Sequence, residues 1–190
     1  NTFYGHFNLN IYGRHMVLDA LACIGICYYE KVEHNDIIKY LNDFGGAKRR
    51  FQEEKVNDVI LESLNITCEN MSINDAVKTV LETARQKYPN KTLVAVLIPY
   101  TISRTQSFYK EFAEVLKLAD KAFVTDIEPA REKFEDYPGV TSDLIDLCPN
   151  AEHISAETID KLYKYDNAVI PFMGCKDPTW LIDAYKEGLK

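Results

Sequence analysis

The sequence predicts an α/β fold: a doubly wound, mostly parallel, Rossmann-like sheet preceded by a short helical segment. Two runs, TLVAVLI at residues 92–98 and NAVIPF at residues 167–172, are short and almost wholly apolar. Such runs suit strands of a parallel sheet with helices on both faces, because neither face then meets water. From residue 46 onward they and weaker apolar runs alternate with amphipathic helical patterns, the order that a parallel sheet with crossover helices requires. The length of 190 residues fits one hydrophobic core with an appendage.

The appendage comes first. FNLNI at residues 7–11 alternates apolar and polar side chains as a strand does, and Gly13 closes it. Residues 15–30 carry Val17, Leu18, Leu21, Ala22, Ile24 and Ile26 in a helix-like pattern. A second helix is expected to start after Asn35 or Asp36, either of which can cap it, and to end at Phe44 before a pair of glycines. The predicted division therefore places a strand and two helices in residues 1–45 and the α/β domain in residues 46–190. Within the latter, strands are expected near residues 58–66, 92–98, 121–126, 151–154 and 167–172. Helices are expected near residues 73–88, 105–118, 142–148, 156–165 and 178–189. The loops Pro99 to Arg104, Ile127 to Glu132 and Met173 to Asp177 then follow strands and lie at the carboxyl edge, where open α/β sheets bind ligands.

A formal charge of −7 argues against nucleic acid or an anionic membrane as the main partner, since either would repel such a surface. No apolar run approaches the roughly 20 residues that span a bilayer, and no signal peptide is visible, so a cytoplasmic location is expected. The five cysteines, Cys23, Cys27, Cys68, Cys148 and Cys175, are odd in number and scattered. Cys23 and Cys27 have helical spacing that suits a metal, but no second Cys or His pair stands near them in sequence. Free thiols in a reducing compartment, with no disulfide and no metal site, are the expectation. A chain that opens on Asn1 rather than Met is consistent with a fragment.

Several stretches carry more specific information. FGGAKRRF at residues 44–51 runs two glycines into Lys48, Arg49 and Arg50. Glycine permits a sharp turn at φ > 0, and a guanidinium beside such a turn suits a phosphate or carboxylate. Taken alone the stretch equally fits a helix C-cap glycine followed by surface basic residues. GRHMVLDALA (13–22), ETARQKYPNKTLVAVLIPYTISRT (82–105), DIEPAREK (126–133) and NAVIPFMGCKD (167–177) lie in order along the chain. Together these resemble the Mur ligases, the ATP-dependent enzymes that build the peptidoglycan peptide, and among them the UDP-N-acetylmuramate:alanine ligases. The family patterns are G-x-H-N-x-x-N-A-x-A, F-Q-P-H-x-x-S-R-T, D-I-Y-x-A-R-E and M-G-A-G-D, with FGGAKRRF at the hinge between the second and third domains. The resemblance makes residues 1–45 the end of the central ATPase domain and 46–190 the C-terminal Rossmann-like domain.

The resemblance implies an ATP-dependent acid:amino acid ligase as the parent, with ATP and Mg²⁺ bound mainly by a central domain outside this chain. In such a reaction ATP phosphorylates a carboxylate, an amino group attacks the acyl phosphate, and the amide leaves with ADP and phosphate. The phosphate loop G-x-x-x-x-G-K-[ST] does not occur here, so the chain alone is not expected to be active, and no catalytic residue is assigned to it. Arg104 would pair with the carboxylate of the incoming amino acid, and Arg131, Tyr100 and Ser103 would line the same pocket. For each arginine the alternative is a surface ion pair with an acid such as Glu111 or Glu132. Arg50, His15, Asp19 and Glu69 would face the nucleotide, although a histidine at this position also serves as a cap or packed residue.

The chain departs from the family pattern at defined positions. Met16 and Asp19 replace asparagines; methionine cannot hydrogen-bond a purine edge and aspartate only accepts. Counting back without a gap, Glu69 stands for an aspartate, and Ser72 and Ile73 replace a histidine pair. Ile98, Tyr100, Glu128 and Lys176 replace a glutamine, a histidine, a tyrosine and a glycine. No histidine occurs between residues 35 and 152. These losses leave two readings open. One is the amino-acid-binding domain of an active ligase that takes a nucleotide-sugar acid and an amino acid; the other is a degenerate homologue that binds a cell-wall precursor or a protein partner without ligation. An unrelated nucleotide-binding or oxidoreductase domain is disfavoured because no G-x-G-x-x-G follows any strand.

Overall fold

The computed structural model describes residues 3–10, 13–45, 52–65, 73–138, 140 and 151–190. The chain divides into two compact units, Asn1–Ala47 and Lys48–Lys190.

The first unit holds helices α1 (Arg14–Tyr29) and α2 (His34–Asp43). The expected strand at residues 7–11 is absent over its described part, residues 7–10. A strand needs a partner for its peptide groups, and this segment instead packs on α2. The His34 ring meets the rings of Tyr4 at 4.8 Å and Phe7 at 5.4 Å, and the Asn10 amide donates to the Asn42 carbonyl at 2.6 Å. Helix α2 starts at His34, so Asn35 and Asp36 lie in its first turn rather than capping it, and its N-cap Glu33 makes no side-chain cap bond. Helix α1 is apolar around most of its circumference. Val17, Leu18, Leu21 and Ile26 are exposed, and Ala20 is its buried apolar residue.

The second unit is a six-stranded sheet in the order β1-β2-β6-β3-β4-β5, parallel except for the β1–β2 hairpin. The strands are β1 (Gln52–Val56), β2 (Val59–Asn65), β3 (Thr92–Ile98), β4 (Lys121–Val124), β5 (Ala151–His153) and β6 (Ala168–Gly174). Strand β1 has no counterpart in the sequence prediction, because QEEKV is almost wholly polar and gives no apolar signal. Helices α3 (Ile73–Lys87) and α4 (Ile102–Leu116) cover one face of the sheet, and a 3₁₀ helix (Ala156–Leu162) and α5 (Thr179–Glu187) cover the other. The expected helix at residues 142–148 lies outside the described residues.

The continuous apolar run of β3 serves both faces through the two-residue period of a strand. Leu93, Ala95 and Leu97 join Val77, Leu81 and Phe112 under α3 and α4, whereas Val94 and Val96 join Leu162, Leu181 and Tyr185 on the opposite side. Pro171 sits in β6, between two neighbouring strands. It lacks an N–H to donate, and the β3–β6 pairing is interrupted between Val169 and Phe172. Residues 156–165, expected as an α-helix, form the shorter 3₁₀ helix. Its start is fixed by a capping box in which the Ser155 amide donates to Thr158 Oγ1 at 2.9 Å, and Thr158 departs from helical φ/ψ.

One core position is acidic. Glu62 of β2 is fully buried, and neither carboxyl oxygen has a hydrogen-bond partner among the described residues. It lies directly across the β1–β2 pair from Glu53, whose carboxylate is held by Lys87 and by the Tyr88 hydroxyl at 3.1 Å. Burial and then the neighbouring Glu53 charge push the Glu62 carboxyl up to about 8, against 4.5 for an ordinary glutamate, with Lys87 partly offsetting them. The folded state therefore keeps a proton that the unfolded state releases, so this contribution to stability is full below pH 4.5 and is lost as pH rises through about 8. Denaturant unfolding across that window should show stability falling by up to about 1.4 kcal/mol per pH unit, a few kcal/mol in all. Glu62→Gln should flatten the curve, and an unchanged slope in that variant would refute the assignment.

Candidate functional site

Strands β3 and β6 are neighbours, yet the chain leaves their carboxyl ends toward opposite faces, into α4 after β3 and into α5 after β6. Two adjacent connections that part in this way open a crevice at the sheet edge. Gly174, paired with Ile98, keeps the two strand ends close: a Cβ there would come within 3.0 Å of Ile98 Cβ and 3.2 Å of its carbonyl oxygen.

Helix α4 begins at Ile102, three residues before its predicted start, which places Ser103 and Arg104 in its first turn. Its N-cap residue Thr101 makes no side-chain cap and holds φ 63°, a left-handed value that costs a β-branched residue energy. Surrounding bonds fix that conformation. The Thr101 amide donates to the Glu128 carbonyl at 2.9 Å, and the Glu128 amide donates to the Pro99 carbonyl at 3.1 Å. The Thr105 hydroxyl donates to the Thr101 carbonyl at 2.8 Å. The first helical turn finds an acceptor for its N–H groups in another loop. The Ser103 amide donates to Glu132 Oε2 at 2.8 Å, and its hydroxyl donates to Oε1 at 2.5 Å. Those two bonds hold the Glu132 carboxyl below the ordinary glutamate range.

Arg104 is half-buried beside the β6 end, with Nη1 3.7 Å from Cys175 Sγ. Arg131 is exposed, one residue after Ala130, which also holds a left-handed φ of 57°. The two arginines thus stand on adjacent segments of one edge, the start of α4 and the loop after β4, which Glu132 ties together. Ser103 spends its hydroxyl on that tie. Tyr100 is half-buried and bridges Glu128 in a parallel pair. On the nucleotide side, Asp19 is exposed on α1 and His15 lies in that helix's first turn, while Arg50 and Glu69 lie outside the described residues.

Three of the substitutions read from the sequence meet one another. Lys176 Nζ lies 2.7 Å from Glu128 Oε1 and 5.7 Å from the centre of the Tyr100 ring. They share a groove of about 200 Å³ with Asp126, Ser155 and Trp180. Asp126 Oδ1 lies 2.9 Å from His153 Nε2. Sequence reasoning missed His153, an imidazole brought to this edge from the end of β5. Its signal was position, close to the carboxyl end of a predicted strand. Cys23 and Cys27 are free thiols, and the described residues bring together no group of three or more His, Cys, Asp or Glu around a metal position.

The chain resembles solved Mur ligases in three dimensions. The UDP-N-acetylmuramate-alanine ligase MurC of Thermotoga maritima matches with a TM-score of 0.75 and 21% identity, covering 98% of this chain and 40% of that one. The fold of this chain is that of the Mur ligases. A murein peptide ligase of Psychrobacter arcticus 273-4 shares the Mur ligase fold at TM-score 0.65 and 19% identity, over 96% of this chain and 38% of the other. The MurF ligase of T. maritima, solved in complex with ADP, matches at TM-score 0.51 and 16% identity over 79% of this chain and 32% of its own length. The chain therefore spans about two-fifths or less of these structures. No protein-family model matches it.

The Glu132 tie is directly testable. A depressed carboxyl contributes stability above its unfolded value, near pH 4.5, and loses that contribution as pH falls through the folded value. Glu132→Gln should therefore lower the melting temperature at pH 7, with the gap to the native chain narrowing below pH 4.5. A gap independent of pH would show that the carboxylate charge does not hold this loop.

Proposed function

We propose that the Lys48–Lys190 unit is the amino-acid-binding C-terminal domain of an ATP-dependent UDP-N-acetylmuramate:amino acid ligase, and that Asn1–Ala47 is the end of its central ATPase domain. The observation that carries this reading is the half-buried Arg104 at the crevice between β3 and β6, on a fold shared with a muramate-alanine ligase. A guanidinium held at a rigid strand edge is suited to grip the carboxylate of a small acid. Arg131, Tyr100 and Ser103 line the same edge in this reading, and Arg50, His15, Asp19 and Glu69 face the nucleotide.

The ligase would act in the cytoplasm on peptidoglycan precursors, with a nucleotide-sugar acid and an amino acid as substrates. ATP and Mg²⁺ would be held mainly elsewhere in the parent protein, since this chain has no phosphate-loop sequence. An ADP complex of a protein with this fold is consistent with a nucleotide-using parent. The exposed apolar residues of α1 also fit a helix that further protein covers. No helix among the described residues is long and apolar enough to cross a membrane.

A second reading, a non-catalytic homologue that binds a cell-wall precursor or a protein partner, is favoured by one feature. Ser103 and the Tyr100, Glu128 and Lys176 group satisfy one another or Glu132 internally. Kinetics separate the two. In the full-length protein, Arg104→Ala should cut kcat/KM for the amino acid by about thirtyfold, on the order of 2 kcal/mol for a lost charge-assisted pair. Unchanged kinetics would remove Arg104 from the site, and a full-length protein that forms no ADP in the presence of both substrates would favour the non-catalytic reading.

A further inference from the structure

The 200 Å³ groove at the ends of β3, β4 and β6 has a chemical character of its own. Two carboxylates, Asp126 and Glu128, rise from the loop after β4, against one ammonium, that of Lys176. Two rings complete the wall: Tyr100, and Trp180, which is 48% exposed despite its size. Lys176 displays the geometry such a wall favours. Its ammonium is in contact with the Glu128 carboxylate and stands over the Tyr100 face, and a carboxylate beside an aromatic face is how proteins hold ammonium groups. The Lys176 and Glu128 side chains are 53% and 44% exposed, and an ion pair this wet contributes little, so it is readily exchanged.

We propose that this groove is an ammonium subsite for a small primary-amine ligand. The Lys176 side chain is its resident occupant, and a ligand ammonium takes its place against Glu128 beside the Tyr100 and Trp180 rings. The volume suits a ligand the size of an amino acid rather than a nucleotide. The identity of the amine as the incoming amino acid rests on the reading under Proposed function; the preference of the groove for a cation does not.

Trp180 is the sole tryptophan of the chain, so its fluorescence reports this groove alone. The probes are L-alanine methyl ester, which keeps the ammonium without the carboxylate, and N-acetyl-L-alanine, which keeps the carboxylate without the ammonium. With the 190-residue chain at mildly acidic pH, the ester should change Trp180 emission saturably. Glu128→Gln should weaken that binding at least about fivefold, and Lys176→Ala should tighten it severalfold. No saturable change, ester binding indifferent to Glu128→Gln, or weaker binding in Lys176→Ala would each overturn the proposal. Binding of N-acetyl-L-alanine, followed by amide shifts around Arg104, keeps the two claims apart. If that compound binds and the ester does not, the ammonium subsite falls and the carboxylate role of Arg104 stands. If the ester binds and N-acetyl-L-alanine does not, the subsite stands and the role of Arg104 falls.

Discussion

Two central strands whose continuations leave toward opposite faces set the chemistry of this edge. Because α4 follows β3 on one face and α5 follows β6 on the other, a crevice opens between their ends. Gly174 lets the strand ends lie close, and the loops around them are pinned by bonds that fix even the left-handed backbone of Thr101. Polar side chains on such loops are held by a rigid sheet while still reaching solvent. That combination is what a binding edge requires.

The same edge is unusually self-satisfied. Glu132 caps α4 from a different loop, and the residues that replace the family's histidine, tyrosine and glycine at 100, 128 and 176 contact one another. Three positions that depart from the family pattern far apart along the chain lie together in space. His153 adds an imidazole from β5, bound to Asp126, where the sequence pattern offers none between residues 35 and 152.

Much of the fold was legible because burial writes itself into composition. The runs at 92–98 and 167–172 became β3 and β6, whose apolar side chains pack on both faces of the sheet, and the crossover helices followed from their spacing. Pro171 did not hide β6, since the sheet tolerates one missing donor there. What stayed illegible depends on partners distant in sequence. Strand β1 is polar and exists through its hairpin with β2, and α4 starts early because Glu132 supplies its cap. Glu62 sat unnoticed inside an apolar run, although it is buried opposite another acid. Of the candidate site, Arg104 and Arg131 were visible through motif resemblance, while the mutual contacts of Tyr100, Glu128 and Lys176 required the loops after three different strands to be brought together.

The carboxyl edge between β3 and β6 is, on this reading, the place where small acids and amines are held. Amide chemical-shift mapping of the chain with a free amino acid tests this most directly. The predicted shifts are concentrated in Tyr100 to Ser107, Asp126 to Glu132 and Gly174 to Trp180, saturating together with one affinity. Shifts confined to the opposite edge of the sheet, around Tyr88 to Thr92 and Asp166 to Ala168, would contradict it.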